Sequence, residues 1–213
     1  MLQGKKILLI ISGGIAAYKT LEFIRRVREQ GASVRAILTT SGAEFVTPLS
    51  VASLTGEKVY QSLFDLTDEA EMGHIQLSRE SDLILVAPAT ANLMAKMVQG
   101  IADDLATTCL LATDTPVMIA PAMNVRMWQH PATQRNVKQL QQDGIRFVGP
   151  AEGDMACGEY GPGRMSEPAD ILKAVSAFFD GAPAKDNTAP REQEAPVTQM
   201  PVAAPSQQAN LPL

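Results

Sequence analysis

Lys6-Ile7-Leu8-Leu9-Ile10-Ile11-Ser12-Gly13-Gly14-Ile15-Ala16-Ala17 is the stretch that decides the fold. The aliphatic run 6–11 has no polar alternation, the pattern of a parallel strand buried on both faces. It ends in Ser-Gly-Gly and passes into residues 15–30. There Ala17, Leu21, Ile24 and Val27 share one helical face, with Arg25, Arg26, Arg28 and Glu29 largely off it. Gly31 stops that helix. The same alternation continues outward along the chain. Residues 34–39 read as strand, 43–54 as helix, 82–87 as strand and 91–112 as one long helix. Strand 117–120, helix 131–142, strand 145–148 and helix 168–179 follow. Residues 56–73 carry the weakest pattern. Strands alternating with helices of about ten residues or more imply right-handed crossovers. The fold class is α/β, a three-layer Rossmann-like open parallel sheet with helices on both faces.

Composition bounds the function. The chain has 213 residues, 18 Lys plus Arg, 23 Asp plus Glu, and a net charge of −5. The negative balance argues against nucleic acid and anionic membranes as partners, since phosphate backbones are met with a surplus of Lys and Arg. The two cysteines, Cys109 and Cys157, make no disulfide framework and fit a reducing, cytoplasmic setting. No apolar run approaches the ~18 residues of a membrane span. The start does not read as a secretory signal. Composition changes near Gly181: six of the fourteen prolines and no aromatic residue fall in 181–213. That stretch cannot bury enough apolar surface to offset its ordering entropy. It is expected to be a disordered linker or tail, and a domain following it is the natural expectation. Residues 1–180 are then the folded domain.

Ligands of such sheets bind beyond the carboxyl ends of the strands. The segments there are Ser12-Gly13-Gly14, Thr39-Thr40-Ser41-Gly42, Pro88-Ala89-Thr90-Ala91-Asn92 and Pro121-Ala122-Met123-Asn124. Ser12-Gly13-Gly14 leaves backbone N–H groups free at a helix start, where an anion is favoured. A tight strand-to-helix turn needs the same glycines. The sequence is neither Gly-x-Gly-x-x-Gly nor a P-loop, which weakens dinucleotide and nucleoside-triphosphate readings. Thr39 and Ser41 add hydroxyls at the same edge, although such a loop equally makes a helix cap. Two loops of this kind on neighbouring strands favour a phosphate site.

Other residues weigh differently. Asp103-Asp104 falls inside the 91–112 helix with no third ligand at metal spacing, so no metal is expected. His130, before Pro131, reads as structural or exposed. His74, after Gly73, opens a short helix and by itself is an ordinary surface or capping residue. Cys109 lies in an apolar helical run and reads as core. Cys157 sits in a glycine-rich segment, residues 153–165, with few apolar anchors. That segment reads as a mobile flap carrying a thiol, which favours a functional role.

Five motifs now stand in order: Ser12-Gly13-Gly14-Ile15-Ala16-Ala17-Tyr18-Lys19, Gly73-His74-Ile75, Ala87-Pro88-Ala89-Thr90-Ala91-Asn92, Pro121-Ala122-Met123-Asn124-Val125-Arg126-Met127-Trp128 and Ala156-Cys157-Gly158-Glu159. Over residues 4–180 the chain resembles the flavin-containing cysteine decarboxylases, and within them the bacterial enzymes that act on 4′-phosphopantothenoylcysteine in coenzyme A biosynthesis. The resemblance implies a carboxy-lyase of flavoprotein type with bound FMN. It implies that Ser12, Gly13, Gly14, Thr39 and Ser41 lie near the flavin phosphate or ribityl chain, and that Pro88, Ala89, Thr90, Asn92, Ala102 and Asp103 border the ring. It assigns proton transfer in the first half-reaction to His74, the substrate carboxylate to Asn124 and the final proton donation to Cys157, with Met127 and Ala156 also at the substrate. Oxidation of the thiol-bearing carbon to a thioaldehyde, its hydride passing to FMN, lets CO2 leave to give an enethiolate, which is then reduced to 4′-phosphopantetheine. The resemblance also implies homo-oligomers, trimers assembled into a dodecamer, with sites between subunits. In bifunctional members a phosphopantothenate–cysteine ligase domain follows the linker. A flavin prenyltransferase would share the fold and FMN site, but the Cys157 flap and the His74 turn count against it. A non-catalytic regulatory relative would not need His74, Asn124 and Cys157 together.

Overall fold

The computed structural model describes residues 2–63, 73–155 and 158–181, and of residues 73–75 the backbone alone. The first strand, β1 (Lys6–Ile11), is buried at every position after Lys6. It pairs in parallel with β2 (Ser33–Leu38) on one side, Ile7 opposite Val34, and with β4 (Leu83–Ala89) on the other, Ile7 opposite Leu83. Outside β2 lies β3 (Val59–Tyr60); outside β4 lie β5 (Val117–Pro121) and β6 (Arg146–Phe147). The order is β3-β2-β1-β4-β5-β6, and every pair in it is parallel. The chain therefore reverses its direction of travel between β1 and β4, the crevice where such sheets take ligands.

Strand side chains alternate between faces, and two core clusters follow from that. Ile7, Leu9 and Ile11 point to one face, covered by α1 (Lys19–Glu29), α3 (Pro48–Thr55) and α9 (Pro168–Gly181) through Phe23, Ile24, Val51, Ile171 and Val175. Leu8 and Ile10 point to the other. There α4 (Gly73–Arg79), α5 (Ala91–Gln99), α6 (Leu105–Leu111) and α8 (Pro131–Gln142) supply Leu77, Leu93, Leu105, Cys109 and Leu140. Each fully buried Leu or Ile contributes about 1.5–3 kcal/mol relative to an exposed one, so the doubly covered centre of the sheet fixes the architecture. The three-layer α/β fold is as expected. No helix among the described residues is long and apolar enough to cross a membrane.

Local departures from the expected elements have identifiable causes. The 15–30 helix is a 3-10 turn, Ile15–Tyr18, continued by α1. The 43–54 helix is two pieces, α2 (Thr40–Ala43) and α3, because Pro48 restricts Thr47 to extended backbone and opens a new helix. The 91–112 helix is interrupted at Gly100, whose φ of 65° ends α5. It restarts at Asp104, whose carboxylate accepts from Thr107 N–H at 2.8 Å. Asp103-Asp104 therefore lies in a helix break and not in a helix interior. The glycine-rich segment read as a flap is an antiparallel ribbon, β7 (Ala151–Asp154) against β8 (Tyr160–Arg164). A short helix after β5, α7 (Val125–Gln129), also had no sequence signal. Residues 182–213, which hold most of the segment read as a tail, lie outside the described residues.

Candidate functional site

Side chains at the β1–β4 reversal are held by few but specific bonds. The Ser12 hydroxyl is buried and donates to the Pro88 carbonyl at 2.6 Å, bracing the loop after β1 against the end of β4. Gly13 touches the loop after β2: a Cβ there would stand 2.7 Å from Ser41 Cβ, so only glycine permits the approach. Gly14 has φ 138° and caps the 3-10 turn. A Cβ at Gly14 would meet no atom within 4 Å, so it would project into open space beside the turn. No side chain caps that turn, which leaves room for a ligand at its start. Thr39 is a helix cap as well, its Oγ1 accepting from Gly42 N–H at 3.0 Å while lying 3.3 Å from the exposed Ser41 hydroxyl.

The loop after β4 offers less than its sequence implied. Pro88 and Ala89 are buried in the sheet end, and Thr90 uses its hydroxyl to cap α5, accepting from Leu93 N–H at 3.2 Å. Asn92 is exposed. Ala102 and Asp103 follow the far end of α5. Gly100, in the left-handed region, turns the chain there, and Ile101 N–H donates back to Lys96 O at 3.0 Å. Both Asp103 oxygens accept from Lys96 Nζ, at 2.6 and 2.9 Å. That hydrogen bond holds the carboxyl below its ordinary range.

A cleft of about 490 Å³ opens beside the loop after β1. Its lining comes from three regions: Gly14, Tyr18 and Lys19; Ala122 to Asn124; and Asp154 and Arg164 on the ribbon. Asn124 caps α7, its Oδ1 accepting from Met127 N–H at 2.8 Å. With the amide oxygen so used, the two Nδ2 donors are directed away from the helix. Met127 is exposed but is not part of the cleft wall. The ribbon is seated by Met123 N–H donating to Gly163 O at 2.9 Å and by an Arg126–Glu159 ion pair at 2.6 Å. At Gly163 (φ 143°) a Cβ would fall 2.4 Å from Met123 O, so glycine allows the ribbon to lie directly on the loop that carries Asn124.

Sequence reasoning missed the cations of this cleft. Lys19 is nearly buried, and its Nζ donates to Met165 O at 3.1 Å and to Glu167 Oε1 at 2.6 Å. Arg164 Nη2 lies 3.4 Å from the same Glu167 oxygen. Lys19 was part of a quoted motif, but its partners lie 146 and 148 residues away, beyond any local pattern. Ala156 and Cys157 lie outside the described residues, as does the His74 side chain; the His74 backbone opens α4. His130 caps α8, its Nδ1 accepting from Ala132 N–H at 3.1 Å. Burial pushes the Cys109 thiol up to about 12, which leaves it an inert core group.

Comparison with known proteins agrees with this geometry. A family model described as Flavoprotein matches residues 1–180. The coenzyme A biosynthesis bifunctional protein CoaBC of Vibrio vulnificus (strain YJ016) is 49% identical over 187 residues, 88% of this chain and 47% of that protein. The chain thus spans about half the length of the curated relatives it matches. A solved PPC decarboxylase mutant complexed with pantothenoylaminoethenethiol superposes with a TM-score of 0.75 at 32% identity, covering 84% of this chain and all of that one. The FMN-binding protein AtHal3 superposes at 0.74, also at 32% identity, over 85% of this chain and all of that one. With its parallel sheet, its glycine-bearing turn at the strand reversal and a family match over nearly all the described residues, the chain belongs to the Flavoprotein family.

Proposed function

We propose that this chain is an FMN-dependent carboxy-lyase that converts 4′-phosphopantothenoylcysteine to 4′-phosphopantetheine in coenzyme A biosynthesis. The observation that carries this reading is one of coverage: the chain matches the whole of a solved PPC decarboxylase but only about half of the bifunctional relatives. The decarboxylase half is therefore the part present. FMN fits the residues at the strand reversal. The uncapped turn at Gly14, with open space beside it, has room for its phosphate, and the exposed Ser41 hydroxyl lies on the adjoining loop.

When bound, FMN supplies the two-electron acceptor without which an unactivated amino-acid carboxylate has no sink for the electrons it leaves behind. The protein's part is to hold, desolvate and protonate. Gly13, Gly14, Thr39 and Ser41 hold the phosphate and ribityl end, and Ser12 braces their loop against Pro88. The buried Pro88–Ala89 end of β4, with Thr90 and Asn92, borders the ring. The Asn124 amide holds the substrate carboxylate by neutral donors, so the group that must leave is not locked by a full positive charge. His74 moves the proton of the first half-reaction. Cys157, which falls between β7 and β8 in sequence, gives the proton that completes the product, an acid role worth roughly 10²–10⁴-fold. Ala102 and Asp103 also border the ring, and a neighbouring subunit completes the site in a trimer, four of which make the dodecamer. A ligase domain joined to this one and a cytoplasmic setting belong to the same reading.

The test is to strip the flavin, reconstitute with FMN and measure CO2 released from 4′-phosphopantothenoylcysteine. Release should be lost on stripping and restored by FMN. Equal release without FMN, or none with it, rejects the reading.

A further inference from the structure

The substrate of the proposed reaction has two anionic ends, a cysteinyl carboxylate and a phosphate. Asn124 answers the first with neutral donors. A phosphate dianion entering a partly desolvated cleft needs fixed cations, since charge-assisted hydrogen bonds are what offset its lost hydration. Among the described residues of the cleft wall the cations are Lys19 and Arg164.

We propose that Lys19 and Arg164 together anchor the substrate phosphate, an inference that rests on the decarboxylase reading above. The Lys19 side chain is only 10% exposed. Its ammonium has three donors. Two are engaged, by Met165 O at 3.1 Å and Glu167 Oε1 at 2.6 Å, and these fix the group in place and leave one donor for a ligand. Arg164 reaches the same Glu167 oxygen at 3.4 Å. Two cations thus share one carboxylate, itself half-exposed, and the wall keeps an excess positive charge at that point. Asp154 is the remaining charged residue of the wall. It is exposed, so solvent screens it, whereas the nearly buried ammonium acts through a lower dielectric. The Arg164 guanidinium lies against the neighbouring Gly153, where a Cβ would fall 2.7 Å from its Nη1.

The experiment compares kcat/KM for 4′-phosphopantothenoylcysteine with that for pantothenoylcysteine, its dephosphorylated form, in FMN-loaded protein. The ratio cancels general damage to folding or chemistry. Wild type should prefer the phosphorylated substrate. The preference should fall about ten- to hundredfold in Lys19→Met, the worth of a hydrogen bond to a charged group, and about fivefold in Arg164→Gln, a half-exposed position whose loss the fold tolerates. Arg164→Lys should retain most of it, and Asp154→Asn should raise it. An unchanged ratio in both Lys19→Met and Arg164→Gln overturns the assignment. An unchanged ratio with weakened FMN binding would instead give these cations to the flavin phosphate, and overturns it equally. Absence of CO2 from either substrate in wild type would be the failure of the decarboxylase reading itself, and would remove this inference with it.

Discussion

Asn124 does two jobs with one amide. Its oxygen closes the first turn of α7 on Met127 N–H, and that bond settles which way the Nδ2 donors face. The two jobs separate on substitution. Asp caps a helix as well as Asn does, so Asn124→Asp should leave the melting temperature unchanged. It replaces two donors with a charge that repels a carboxylate, so kcat/KM should fall about a hundredfold, the scale of a hydrogen bond to a charged group lost. Activity within twofold of wild type would remove Asn124 from the substrate site. Single residues also mark the limit of what sequence could say. Gly13 and Gly14 were legible as a turn that could cradle an anion, because glycine has a conformational reason to be there. Lys19 was not legible as a cleft cation, because its surroundings are made by Met165 and Glu167 at the other end of the chain.

Elements were legible where their own chemistry bounded them. The strand β1 came out at its full length because unbroken aliphatic runs admit few other structures. The helix α8 came out at its full length because Pro131 sits at its first position and His130 caps it. The break between α5 and α6 was hidden. Apolar residues keep helical spacing on both sides of Gly100, so the Asp103-Asp104 pair read as lying inside one helix. The pair is in fact divided in role, since Asp104 caps α6 while Asp103 pairs with Lys96. Asp104→Ala should cost about 1 kcal/mol, lowering the melting temperature by roughly 2–4 °C for a chain of this size. Asp103→Ala removes only an exposed ion pair and should move it far less. Equal shifts in a thermal melt would contradict this division. The ribbon β7–β8 escaped notice because its glycines replace the alternating side chains by which strands are recognised. Those same glycines let it approach Met123 and Val125 closely enough to wall the cleft.

At the scale of the whole molecule, the sheet explains why the candidate residues are scattered in sequence. The carboxyl ends of β1, β2, β4 and β5 bring loops from four parts of the chain to one edge, and the reversal of strand order between β1 and β4 opens the crevice there. The proposed assembly, with sites between subunits, predicts that flavin binding and activity are lost together on dissociation. The central claim concerns chemistry, and one measurement bears on it most directly. Substrate labelled in the cysteinyl carboxyl is given to the FMN-loaded protein, and gas and product are followed by mass spectrometry. The label should leave wholly as CO2, one for one with 4′-phosphopantetheine formed. Label retained in the product, or substrate left intact, would contradict the account.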